Sequence, residues 1–529
     1  MRNLLLDVNI VVDLCVDRPG SANSELAVAL ARHHSLRLWI YAGSVQTLEY
    51  VVGSEVRRVN HSPDKTMSPS EARHKARSLL HELTQDFQWL AALSGEGDVF
   101  AVEDPEDTQL FHALERFSYA DMHLLTRDKK LQEKDPQRIL SPEVFIDFCK
   151  QCGITQSTAF IDLAAQQDRI RPALEQNIHQ VLHHGQYIMG PEVGKLEKRL
   201  CEFTDSWHCI SCSSGTDALL MALMALDIGP GDEVITVPYT WISTAEVVAL
   251  LGARPVFVDI QKDTMNMDPD LVEEAITQRT KAIMPVGIYG QCADMTRINA
   301  LAHSQNIPVI EDAAQSFGAT HAGRKSCALS EIGCTSFFPS KPLGGYGDGG
   351  AIFTDDETLA DRMRQIRVHG QKVKHEHPLV GINGRLDALQ AAVLLEKLKV
   401  FPEECILRRE AAGRYDNLLS GLPGIQTPVI APGNESVYAQ YTILARDRDS
   451  VSKRLKEYGI PSVAYYTAPL HLQGAFSCLG HKPGDFPVAE QVAGQCLSLP
   501  MNPYLQTQEQ ERICAVIKDA VKEKEIQGH

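Results

Sequence analysis

The sequence predicts an α/β protein built in at least two units, and three observations carry that prediction. The chain has 529 residues, more than one hydrophobic core usually serves, since chains beyond about 250–300 residues divide into domains. Apolar runs of strand length alternate with stretches of helical spacing along most of the chain, the pattern of sheets covered by helices. The alternation lapses around residues 149–157, CKQCGITQS, where small polar residues replace the periodicity and a linker is expected.

Composition narrows the class. With 44% hydrophobic and 22% charged residues the chain reads as an ordinary globular protein, neither fibrous nor disordered. Its net charge of -17 argues against general affinity for nucleic acid, which draws on clustered Lys and Arg. No apolar run approaches the length of a membrane span. The opening MRNLLLDVNIVVDLC is broken by Asp7, Asn9 and Asp13, so it lacks a signal-peptide core. Thirteen cysteines then read as reduced thiols of a cytoplasmic protein. Two CxxC pairs, Cys149/Cys152 and Cys209/Cys212, have half the spacing of a structural zinc site. The second pair lies in an alternating, strand-like run, where buried thiols acting as small hydrophobes are the better reading.

In the first unit, LLLDVNIVVDL begins as a buried parallel strand whose C-terminal end presents Asp7 to a crevice. Further strands are expected at Leu38–Tyr41, Val99–Val102 and His123–Thr126, with helical patterns between them. Carboxylates stand near these strands: Glu49 in SVQTLEYVV, Asp107 in PEDTQLFHAL and Asp128 in LLTRDKKL. As isolated residues they are equally what solvated caps and turns supply. Through LDVNIVVDL, the EDTQ segment and LLTRDKKL, residues 1–148 resemble a PIN domain. The resemblance implies that Asp7, Glu49, Asp107 and Asp128, with Asn9 beside the first, gather at strand ends to hold Mg²⁺ or Mn²⁺ for phosphodiester hydrolysis. Residues 1–150 hold 17 Lys+Arg against 23 Asp+Glu. RNA as a partner would therefore need a local strip such as Arg57, Arg58, Lys65, Arg73, Lys75 and Arg77.

The second unit opens with FIDLAAQQDRI and helical spacing to about Leu182, followed by HHGQYIMGPEVGKLEKRLCEF, a Gly/Pro turn and an amphipathic helix. GPEVGK is one residue short of a P-loop and lacks the Ser/Thr after its lysine. SWHCISCSSGTDALLMALMAL reads as strand, turn and helix. Ser214, Gly215 and Thr216 stand at the helix N-terminus, where free N–H groups favour an anion such as phosphate. Taken alone this is a capped helix. DEVITVPYTWISTAEVVALLGARPVFVDI continues as strand, turn, helix and strand, with Trp241 at the turn. AIMPVGIYGQ and VIEDAAQSFGA supply two more strands, the second ending in Glu311 and Asp312. TSFFPSKPLGGYGDGG then sets Lys341 among glycines 344, 345, 347, 349 and 350, which permit close backbone approach and unusual dihedrals. Such a lysine can form a Schiff base, though on this stretch alone a solvated lysine beside glycine-rich turns is the better reading. Past Val400 the pattern changes to helix, strand and helix, a smaller α+β domain over residues 401–529 after a large domain over 158–400.

One cofactor uses all these parts. Pyridoxal phosphate requires a lysine, a carboxylate for the pyridine nitrogen, a ring stacker and a phosphate cup. HGQYIMGPEV, SSGTDAL, SFFPSKPLGGYGDGGAIFT, NGRLDALQAAVLLEKL and YAQYT resemble the DegT/DnrJ/EryC1/StrS sugar aminotransferases, of PLP fold type I. Within that family the resemblance is to enzymes that aminate the 3-keto group of a UDP-N-acetyl-hexuronic acid. It implies Lys341 as Schiff-base lysine, Asp312 on the pyridine nitrogen, Gln315 beside the ring hydroxyl and Trp241 as stacker. Gly215, Thr216 and Ser336 then form the phosphate cup. A homodimer with shared sites is implied as well, Asn383 coming from the partner subunit and Arg385 meeting the substrate carboxylate. Glutamate and a UDP-sugar are the expected substrates. Where close relatives often carry His-Tyr before the PL motif, this chain has Tyr465 and Tyr466, candidates for substrate contact. Lys341 stands where the family's dehydratases carry histidine. The competing reading is an RNA-acting or regulatory protein that keeps the transferase half as a scaffold; Lys341, Asp312 and Gln315 all being present counts against it.

Overall fold

The computed structural model describes residues 158–527 and, before them, 3–6, 37–41, 88–90, 122–125, 132, 139–141 and 144. The chain separates into Met1–Ser157 and Thr158–His529. In the first unit β1 (Asn3–Leu6), β2 (Arg37–Tyr41), β3 (Gln88–Leu90), β4 (Met122–Leu125) and β5 (Ile139–Leu140) form one sheet in the order β3-β2-β1-β4-β5. Every pairing in it is parallel. The strand expected at residues 99–102, the carboxylates Asp7, Glu49, Asp107 and Asp128, Asn9, the basic strip and Cys149/Cys152 lie outside the described residues.

The second unit begins with α1 (Leu163–His184), whose first turn is capped by the Asp162 carboxylate accepting the Ala165 N–H at 2.9 Å. It ends at Gly185 with φ +69°, a left-handed conformation that costs glycine little. Proline at the first position starts α2 (Pro191–Thr204), where its missing N–H would have had no helical partner. Strand and helix then alternate through β6 (His208–Cys212), α3 (Gly215–Ala225), β7 (Glu233–Thr236), α4 (Ser243–Leu250), β8 (Arg254–Phe257), α5 (Pro269–Ala275), β9 (Thr280–Ile283), α6 (Met295–Ser304) and β10 (Ile310–Asp312). A small hairpin, β11 (Thr320–His321) and β12 (Arg324–Lys325), precedes β13 (Ile332–Ser336), β14 (Gly350–Thr354) and α7 (Glu357–Ile366).

The order β8-β7-β9 continues into β10-β13-β14-β6 through parallel bridges Ile283↔Val309 and Val286↔Asp312. Only β14 runs antiparallel to its neighbours in this seven-stranded sheet. Both faces are covered, one by a core that includes Val193, Leu196, Phe317 and Phe401, the other by one that includes Leu219, Met221, Val247 and Met363. Cys209 and Cys212 sit on β6 in opposite cores, because a three-residue offset along a strand reverses the face. They cannot share one zinc ion, and burial pushes both thiols well up.

Helix α8 (Ala388–Leu419) runs unbroken through residue 400, so the change of composition there falls inside an element. Its C-terminal half packs with β15 (Ile425–Gln426), β17 (Tyr441–Ala445), α9 (Arg448–Glu457), β18 (Cys496–Leu499) and α11 (Thr507–Gln527), while β16 (Asn434–Glu435) pairs back onto β11 and α10 (Pro487–Gln495) precedes β18. A three-stranded antiparallel sheet, β15-β17-β18, thus closes on a core of Tyr415, Tyr441, Ile443, Val451 and Ile513.

Candidate active site

A cavity of about 360 Å³ opens at the C-terminal ends of the parallel strands, where open α/β sheets place their ligands. One wall is the start of α3. The Ser214 side chain caps it by accepting the Asp217 N–H at 3.0 Å, and Thr216 Oγ1 meets Ser243 Oγ at 2.7 Å. A Cβ on Gly215 would stand 2.6 Å from Ser336 Cβ, so only glycine lets β13 approach this closely. Hydroxyls of Ser214, Thr216, Ser243 and Ser336 thereby ring a helix N-terminus, the donor set for a phosphate dianion.

Opposite the cup, β10 ends on the buried Asp312. Its Oδ2 accepts the Thr244 hydroxyl at 2.7 Å and its Oδ1 accepts the Ala314 N–H at 3.2 Å. Thr244 in turn lies 3.1 Å from the Thr240 hydroxyl. Burial raises the Asp312 carboxyl above its usual range, and these two hydrogen bonds oppose the rise. Burial likewise lowers the Lys341 ammonium, which the charge of Asp312 opposes. Burial thus works against the charge of each group, while their mutual attraction and the hydrogen bonds to Asp312 work for it. On the other side of the strand, Glu311 accepts from Ser326 Oγ at 2.7 Å and from the Cys327 N–H at 2.8 Å, and burial pushes it up to about 7.

Lys341 projects from the loop between β13 and β14, which is closed by Phe337 N–H to Gly349 O and Gly345 N–H to Phe337 O, both 2.7 Å. None of its four glycines, nor Gly350 at the start of β14, has positive φ. The expectation of unusual dihedrals is therefore corrected: these positions are glycine for space. A Cβ on Gly350 would come within 2.5 Å of Ser214 O, and one on Gly344 within 2.5 Å of Pro339 O.

Gln315 is fixed at both ends of its amide, accepting the Tyr289 N–H at 2.9 Å and donating to Tyr466 Oη at 3.3 Å. The Tyr465 carbonyl accepts from the Tyr239 and Tyr289 hydroxyls, and the Tyr466 N–H donates to Tyr239 Oη at 3.0 Å. Trp241 lies 5.9 Å from the Tyr466 ring and is 57% exposed, leaving indole surface for a second flat group. The residues fit pyridoxal phosphate: an anion cup, a buried carboxylate, a lysine and an aromatic plate share a space of ligand size.

Of the residues singled out in the sequence, Gly215, Thr216, Trp241, Asp312, Gln315, Ser336, Lys341, Tyr465 and Tyr466 line this cavity. Asn383 and Arg385 do not; Asn383 is exposed on a loop whose Gly384 carbonyl accepts the Ser213 N–H at 3.0 Å, beside the cup. Sequence reasoning missed Thr244, Ser243, Tyr239 and Tyr289. Ser243 and Thr244 carried a faint signal as hydroxyls opening a helix; the tyrosines carried none. Among the described residues no group of three or more His, Cys, Asp or Glu is placed to hold a metal, and no helix is long and apolar enough to cross a membrane.

Comparison with known proteins gives one consistent result. A model of the DegT/DnrJ/EryC1/StrS aminotransferase family matches residues 168–518. A Pseudomonas aeruginosa UDP-2-acetamido-2-deoxy-3-oxo-D-glucuronate aminotransferase is 55% identical over 358 residues, 68% of this chain and 99% of the relative. A crystal structure of a DegT/DnrJ/EryC1/StrS aminotransferase from Brucella abortus is 45% identical with a TM-score of 0.66, covering 68% of this chain and 98% of that one. Bacillus subtilis NtdA, solved with bound cofactor PMP, is 32% identical with a TM-score of 0.64 over 69% of this chain and 84% of its own.

Proposed function

From a chain that belongs to the DegT/DnrJ/EryC1/StrS aminotransferase family and is a sugar-nucleotide aminotransferase, we infer a pyridoxal-phosphate enzyme that moves an amino group from glutamate to a UDP-2-acetamido-2-deoxy-3-oxo-hexuronate. The observation that carries the reading is Lys341 and the buried Asp312 lining one cavity with a hydroxyl cup at a helix N-terminus. The similarity to the Pseudomonas aeruginosa enzyme supports the 3-oxo-hexuronate.

When bound, the cofactor supplies a covalent handle for the amino group and an electron sink for the carbon beside it. Lys341 would hold that handle through its Nζ, and the same amine is placed to move a proton at the substrate carbon. Asp312 keeps a positive charge on the ring nitrogen, since a fixed anion favours the charged form. Thr244 sets the orientation of that carboxylate. Ser214, Gly215, Thr216, Ser243 and Ser336 bind the phosphate, Trp241 covers a ring face, and Gln315 meets the ring hydroxyl. Tyr465 and Tyr466 flank the sugar.

We further propose a cytoplasmic homodimer in which Asn383 and Arg385 enter the site of the neighbouring subunit, Arg385 pairing with the hexuronate carboxylate. The exposure of Asn383 beside the cup supports this. For residues 1–148 the proposal is a PIN-like module in which Asp7, Glu49, Asp107 and Asp128 hold Mg²⁺ or Mn²⁺ and act on RNA. Its support is the parallel five-stranded sheet and the motifs of the sequence. Manganese-dependent cleavage of labelled RNA that survives an Asp7→Asn, Asp128→Asn double substitution would remove that reading.

The transferase reading is tested with purified, cofactor-loaded chain, glutamate and a panel of UDP-3-oxo sugars, read by mass spectrometry. Amination of the hexuronate is expected, with loss of product in Lys341→Ala. Absence of amination of every 3-oxo sugar by loaded wild type would overturn it.

A further inference from the structure

The chain buries a second lysine that the reaction leaves unused. Lys397, in the middle of α8, is 1% exposed and ranks among the largest fully buried side chains of the described residues. Its Nζ donates to the Gly344 carbonyl at 2.7 Å and stands 4.7 Å from the centre of the Tyr346 ring. Both partners belong to the loop that carries Lys341. Two turns earlier on the same helix face, Gln390 Oε1 accepts the Tyr346 N–H at 2.8 Å. A Cβ on Gly345 or Gly347 would stand 2.9 or 2.8 Å from the Gln390 amide, so the loop backbone lies close against this side chain.

An ammonium taken out of water costs several kcal/mol unless compensated. A leucine or methionine would fill the same slot without that cost, so packing alone does not account for a lysine. Burial lowers the ammonium to about 8, with Glu404 opposing the shift, so at neutral pH it still carries most of its charge. What the charge secures is one backbone carbonyl and one ring, both within five residues of Lys341. The remaining hydrogen bonds of residues 337–349 run within the loop, to its root Ser336, or to Gln390.

We propose that Lys397, together with Gln390, is a positioning residue that fastens the glycine loop to α8 and so fixes where Lys341 meets the cofactor. The inference rests on Lys341 being the cofactor lysine, yet the fastening is readable without the cofactor. In the cofactor-free full chain, hydrogen exchange at the amides of Lys341, Gly345 and Tyr346 is compared among wild type, Lys397→Met and Gln390→Ala. The second variant is the milder one, should the first fold poorly. Loss of a charge-assisted hydrogen bond is expected to speed exchange in the loop by about tenfold or more, leaving β17 and β18 unchanged. Capture of pyridoxal phosphate by Lys341, followed by absorbance, should slow in parallel. Loop exchange that matches wild type in both variants, or a rise spread evenly over the chain, would overturn the proposal. Failure of wild type to capture the cofactor would instead count against the proposed function.

Discussion

Thr244 acts on the cavity chiefly through Asp312, to which its hydroxyl donates at 2.7 Å. A hydrogen bond to a charged group is worth about 1.5–3 kcal/mol. Thr244→Val should therefore lower kcat/KM by about 10- to 100-fold, while Thr244→Ser, which keeps the hydroxyl, should stay within a few-fold of wild type. Steady-state kinetics with the 3-oxo-hexuronate check both. At this scale the sequence was readable where chemistry is local. Asp312 follows an apolar run, and Lys341 stands alone among glycines. Thr244 and Asp312 are 68 positions apart, and Lys397 and Gly344 are 53. No spacing rule links such pairs, so their roles appear only when the chain is folded.

Among the elements, the parallel strands announced themselves as apolar runs ending in polar residues, and α3 as a helix behind a Ser-Gly-Thr cap. The reversed direction of β14 and its pairing with β6 were not legible, because register between distant strands is chosen by packing on both faces. That pairing yields a prediction: Gly350→Ala forces a Cβ to 2.5 Å from Ser214 O and 2.8 Å from Thr335 O, backbone atoms that cannot rotate away. Overpacking of this kind costs about 1–3 kcal/mol, and it should appear as a lower melting temperature together with weaker cofactor retention. Helix α8 carries a second one. The Lys397 ammonium is lowered to about 8 in the folded chain from an ordinary 10.5, with Glu404 favouring its charge. Between those values the unfolded chain binds the extra proton, so wild-type stability rises with pH. It is lowest, relative to Lys397→Met, once pH falls below 8. Denaturant titrations at pH 7 and pH 10 should show wild type gaining on the variant by up to about 3 kcal/mol.

For the whole molecule the shared-site dimer makes a numerical claim. When Lys341→Ala and Arg385→Ala chains are unfolded, mixed in equal amounts and refolded, half the dimers formed are mixed ones, and each holds one intact site. Activity should return to about a quarter of wild type if a two-fold dimer shares its sites. No recovery above the separate variants would mean that each chain builds its site alone. The pairing of β6 with β14 also sets an order in time. Strand β6 joins the large sheet only through β14, by ladder contacts that run from Gly350↔Cys212 to Thr354↔His208. Such a long closure is slow to form. A chain emerging from the ribosome therefore holds its anion cup beside an unpaired strand until residue 354 has been synthesised. The cup and Lys341 are brought together only after that point, with Tyr465 and Tyr466 joining the cavity later still, and a message cut short before it yields a sheet with an open edge and no lysine fixed beside the cup.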